Sequence, residues 1–188
     1  MLSDEDFQDI SQSLRSEKTQ ERASALRCLS ANTDDPRLLP YIEPLLEDKT
    51  VCIVHIPIHY GEIRYLAATA LAEVRAAVGV WEKVCVEFVV PLNVTELNKI
   101  ARATGIEERR GLPGHEGTFE LFARLREMGK LPMATIELDP VEKLEIAKME
   151  AEAEAKRREA EEKEGEKDYS IENTPYYIRQ PDGTWKKY

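Results

Sequence analysis

Cys52, His55 and His59 follow one another as C-x2-H-x3-H within the run VCIVHIPIHY at 51–60. A thiolate and two imidazoles at that spacing form a ligand set that suits zinc. Cys28, Cys85 or His115 would have to complete the shell, because zinc needs four converging ligands, or three and a water. The run is short, β-branched and carries Pro57, so it reads as a strand or extended insertion. Side chains alternate along an extended chain, which turns Cys52 away from His55 and His59. Pro57 forbids a helical i,i+4 clamp. The expectation is no metal and no cofactor, with both histidines partly buried against backbone partners. The alternative is a metal-dependent enzyme or lyase using a cleft near His55, His59 and His115.

Other catalytic sets are missing from the sequence. It holds no nucleophile elbow and no glycine-rich phosphate loop with its lysine. The glycines of LPGHEG at 112–117 lack that spacing and read as a connector. No catalytic residue is expected.

Residues suited to binding are better represented. Arg22 and Arg27 lie off the apolar stripe of a helix expected over 19–31, and Arg64, Tyr65 and Arg75 lie off that of a helix over 62–78. One reading is ordinary solvated arginines, some pairing with Glu21, Glu62 or Glu73. The last 21 residues, from Asp168, hold Tyr169, Tyr176, Tyr177, Trp185 and Tyr188 around Pro181-Asp182-Gly183. Their centre is a turn signal whose flanks could pair as a hairpin. Aromatics this dense fold back onto the body or dock on a partner as an added strand.

The elements that must position these groups follow from periodicity. Phe7, Ile10 and Leu14 place a helix over 4–15 behind Ser3. Asp35 and Pro36 open a third helix over 36–47, with Pro40 and Pro44 inside it. Val84, Val86, Phe88 and Val90 alternate as a strand, as do residues 133–138. Thr95 is expected to cap a helix over 96–104, and Phe119, Phe122 and Leu125 stripe another over 118–128. The strands 51–58, 84–91 and 133–138 are expected in one small sheet against helix 62–78, with a right-handed parallel crossover. From 141 to 167, Glu, Lys, Arg and Ala dominate, as in a solvated helix.

The segments RASALRCL at 22–29 and RYLAATALAEV at 64–74 superpose at an offset of 45 residues. They resemble the second helix of HEAT repeats of the phycobilisome-lyase type, and DPRLLPYIEPLLED at 35–48 resembles that family's turn and first helix. The resemblance covers about residues 18–79. It implies a short α-solenoid whose second helices line a concave face, so that a strip of Arg22, Arg64, Tyr65 and Arg75 there could hold an acidic peptide. HEAT-type hydroxylases bind iron through several His-Glu pairs, whereas this chain has His115-Glu116 alone.

The expected fold is mainly α with a small β-sheet. A HEAT-like stack at 1–82 carries a β insertion at 51–60, followed by a mixed α/β cap at 83–139, a charged helix at 140–167 and a tail or hairpin at 168–188. The chain has 188 residues and a net charge of −10. None of the segments 1–92, 93–139 and 140–188 is net positive, so nucleic acid is not an expected partner. Three scattered cysteines, an acidic start and no long apolar run point to the cytoplasm and away from membranes. The expected function is a protein-binding adaptor or scaffold, with self-association through the C-terminal helix or tail as a possibility.

Overall fold

The computed structural model describes residues 1–29, 33–106, 115–165, 177–179 and 185–187, with side chains as far as Arg158 apart from Ala147. The chain is mainly helical with small antiparallel sheets. It divides into residues 1–147 and residues 148–188. Among the described residues no helix is long and apolar enough to cross a membrane.

Helix α1, Asp4–Leu14, starts where Ser3 accepts the Asp6 N–H at 3.1 Å. Asp4, Glu5 and Asp6 then oppose the positive end of its dipole. Helix α2, Thr19–Cys28, packs on α1 and stops before Leu29, whose backbone is extended. Residues 30–32, the expected end of this helix, lie outside the described residues.

The helix expected over 36–47 is instead three short pieces. A 3-10 turn at Pro36–Leu38 leads into α3, Leu39–Ile42, and a second 3-10 turn at Glu43–Glu47. Each piece carries a proline in its first two positions, Pro36, Pro40 and Pro44, and the missing N–H of Pro40 and Pro44 interrupts a continuous α ladder. Asp35 caps the segment, accepting the Arg37 N–H at 3.0 Å.

Strands β1, Val51–His55, and β2, His59–Glu62, form an antiparallel hairpin. Helix α4, Ile63–Val78, follows directly and ends on Gly79, whose φ of 76° belongs to the left-handed region. Strand β3, Val84–Val89, then pairs antiparallel with β4, Met133–Leu138. Three strands in one sheet with a parallel crossover is therefore not what forms. β1 finds its partner a few residues away, where loop closure is cheap. Among the described residues one isolated β-bridge, Tyr60 to Leu92, joins the hairpin to the chain beyond β3.

Helix α5, Val94–Ala103, is capped by Asn93 rather than Thr95. One Asn93 oxygen accepts the N–H groups of Thr95 and Glu96, and the Glu96 carboxylate accepts the Asn93 N–H at 2.8 Å. Helix α6 covers Glu116–Glu127 and α7 covers Pro140–Gly165. Strand β5, Tyr177–Arg179, pairs antiparallel with β6, Trp185–Lys187. Residues 180–184, which include the expected turn at Pro181-Asp182-Gly183, lie outside the described residues.

The β1–β2 hairpin is the wall between two apolar clusters. Cys52 and Val54 point into the one built by α1–α4, where Val84, Val86 and Phe88 of β3 also pack. Val51 and Tyr60 point into the other, with Val89, Leu97, Phe122 and Leu125. Alternation along one strand thus serves two cores. Each fully buried Leu, Ile, Val or Phe contributes about 1.5–3 kcal/mol of transfer free energy.

Candidate binding surface around the hairpin

The residues singled out in the sequence fall into three places. Three of the arginines expected on an open strip are engaged within the body. Arg22 holds Asp48 at 2.9 Å and donates to the Ser16 carbonyl at 2.6 Å. Arg75 reaches Glu43 at 3.0 Å, and only 12% of its side chain is exposed. Arg64 is buried and donates to Glu62 at 2.7 Å. The expected outward display of Arg22, Arg64 and Arg75 is corrected by these pairs, because a guanidinium that sinks between packed helices must take a carboxylate with it.

Glu62 is the centre of that arrangement. Its carboxylate is fully buried and accepts from Arg64, from the Val89 N–H at 3.0 Å and from Arg126 at 3.3 Å. The group joins β2, α4, β3 and α6 at the seam between the two clusters. A buried carboxylate is tolerable only with such a set of donors.

The histidines divide into two groups. His55 Nε2 lies 3.2 Å from the Tyr65 hydroxyl, and His59 Nδ1 donates to the Pro57 carbonyl at 2.7 Å. Their rings stand edge to face, 6.2 Å apart between centroids. Tyr65 is half-buried against Phe88, and burial pushes its hydroxyl pKa up. His115 is held elsewhere, its Nδ1 2.9 Å from the Tyr60 hydroxyl, with Phe119 beside it. Cys52 is fully buried on the opposite side of β1, and loss of hydration pushes its thiol up to about 12. Cys28 and Cys85 are exposed. Among the described residues no three His, Cys, Asp or Glu side chains converge as a metal site.

The hairpin tip is apolar and open. Ile56 is 95% exposed and Ile58 45% exposed, on either side of Pro57.

On the other side of the hairpin an open groove of about 830 Å³ runs between the first turn of α2, the start of β1 and α6. Val51, Phe119 and Ala123 give it an apolar floor, and Lys18, Lys49, Glu116 and Arg126 stand on its rim. Arg126 is fixed by the Lys49 carbonyl and Glu62. Lys18 is paired with Glu21 at 2.7 Å, which raises the lysine pKa and lowers that of the glutamate. The sequence does not signal this groove: Phe119 belongs to the apolar stripe that predicts α6, and both it and Ala123 are only partly buried against the core.

Tyr176 lies outside the described residues, as do the side chains of Tyr177 and Trp185. Compared with known protein families, with curated proteins and with solved structures, the chain matches none of them.

Proposed function

We propose that this chain is a protein-binding adaptor of HEAT-like kind, without catalytic activity, which seats a short peptide segment in the groove between α2 and α6. The observation that carries the reading is the groove itself. Its volume of about 830 Å³ lies in the range of sites that enclose a ligand's anchor groups. An apolar floor flanked by charges of both signs suits a peptide with one apolar anchor between polar neighbours.

The packing supports the HEAT-like part of the reading. α1 lies against α2, the 36–47 segment against α4, and α2 against α4. Two such units leave an apolar face uncovered, and the β3–β4 pair covers the face of α4. With Arg22, Arg64 and Arg75 engaged internally, recognition moves from the expected arginine strip to the groove. Three free cysteines suit a reducing compartment such as the cytoplasm.

The test is selection from a random-peptide display library on the immobilised full chain, followed by fluorescence anisotropy. Selected peptides should bind with micromolar Kd, and Ala123→Arg, which fills the floor, should weaken them by roughly tenfold or more. No enrichment, or peptides that bind the variant equally well, removes this proposal.

A further inference from the structure

The β3–β4 pair has two outer edges, one along β3 and one along β4. The Val90 N–H donates to the Pro132 carbonyl at 2.9 Å, which identifies the hydrogen-bonded rungs. Residues two apart along the register, Phe88 with Ala134, Val86 with Ile136 and Val84 with Leu138, then exchange hydrogen bonds within the sheet. The intervening residues turn their N–H and C=O groups away. On β3 one of these is Val89, whose N–H is taken by Glu62. On β4 they are Met133, Thr135 and Glu137.

Among the described residues β4 packs chiefly on β3 and α4, and no further strand pairs with its outer side. Met133 is 46% exposed, and Ala134, Ile136 and Leu138 are half-buried apolar residues at the margin of the core. An edge is ordinarily protected by lysine, a bulge, an inward charge or a proline within the strand. β4 has none of these between Pro132 and Pro140. Its single charge, Glu137, is already answered by Lys83 at 2.6 Å.

We infer that β4 pairs antiparallel with β4 of a second copy of this chain, making a continuous four-stranded sheet about a two-fold axis at Thr135. The occupant is chosen by self-complementarity. With Thr135 opposite its own copy, Met133 faces Glu137 of the other chain, and each of these pairs exchanges two backbone hydrogen bonds. On the inner side Ala134 meets Ile136, a small residue against a large one, and the apolar layer continues across the joint. Centring the pair on Glu137 instead would set two carboxylates opposite one another, which is destabilising. Two-stranded sheets gain from added strands in the same way.

Sedimentation equilibrium of the full chain tests this register. The wild type should show a reversible monomer–dimer equilibrium in the micromolar range. Thr135→Lys places two ammonium groups opposite each other and should weaken the dimer by roughly tenfold or more. Met133→Lys places an ammonium opposite Glu137 and should leave the dimer intact or tighten it. Met133→Glu should weaken it, and Met133→Glu with Glu137→Lys should restore it. These side chains are exposed, and unfolding midpoints confirm that each variant is folded. A wild type that stays monomeric overturns the inference. So does a dimer that Thr135→Lys leaves unchanged, as association through α7 or the tail would give, and so does equal weakening by both lysine variants.

Discussion

The carboxylate of Glu62 accepts the backbone N–H of Val89 at 3.0 Å in the interior of the protein. A side chain at the end of one hairpin thereby takes up one outward N–H of a strand that belongs to another sheet. The same carboxylate pairs with both Arg64 and Arg126. This one group sets how β3 lies against β2 and how α6 reaches the seam.

Removing it should be severe. Glu62→Leu leaves Arg64 buried with no countercharge and Val89 with no acceptor, and should cost about 3–5 kcal/mol. Glu62→Gln keeps an acceptor for Val89 and should cost less, about 1–3 kcal/mol. Urea denaturation of the purified variants measures both; equal and small losses would mean that the carboxylate is not holding the seam.

Asp35 predicts a pH dependence. Hydrogen bonds from the Arg37 side chain, the largest effect, hold its carboxyl at about 2 against an ordinary value of 3.8. The folded pKa is the lower one, so this contribution is complete above 3.8 and is lost as pH falls toward 2. Asp35→Asn should destabilise by about 1–3 kcal/mol at neutral pH. The difference between the two proteins should shrink over that acid range in urea titrations. A constant difference would contradict the ion pair.

Thiol reactivity should separate the cysteines. Cys28 and Cys85 are exposed, whereas Cys52 is fully buried with its pKa pushed up to about 12. A thiol reagent at neutral pH should label the first two quickly and Cys52 only after denaturation. Mass spectrometry of the labelled peptides reads this directly, and rapid labelling of Cys52 would place β1 in the wrong register.

Gly61 predicts a packing defect on substitution. A Cβ built there would lie 3.0 Å from Val54 Cγ1, and Val54 is itself buried between the hairpin and the helical cluster. Gly61→Ala should therefore cost about 1–3 kcal/mol through overpacking. A thermal midpoint equal to that of the wild type would show that Val54 can give way.

Much of the architecture was readable without coordinates wherever a local rule applied. The stripe of Ile63, Leu66, Ala67, Ala70, Leu71, Val74 and Val78 predicted α4, and all of these are buried except Val78, which is half-buried. Alternation predicted β3 and β4, and Ser3 and Asp35 cap the segments they were expected to open. The C-x2-H-x3-H run was read as extended, with Cys52 facing away from the histidines, and β1 turns the thiol into the core. The Glu62–Arg64 pairing was among the alternatives, though not its depth.

What alternation cannot specify is a partner. A strand pattern says which side chains share a face and leaves open which backbone will satisfy the edge. The hairpin β1–β2, the β3–β4 pair and the open side of β4 were therefore decided by tertiary packing. The fate of Arg22 and Arg75 was decided likewise, since Asp48 and Glu43 come from distant turns of the chain. The groove beside Phe119 forms only where α2, β1 and α6 meet. Sequence by itself determined which segments are helix or strand and which faces are apolar, because those properties repeat over neighbouring residues. The matching of edges, charges and hollows between distant segments belonged to the tertiary structure alone, because burial makes each group seek whatever partner the fold brings near.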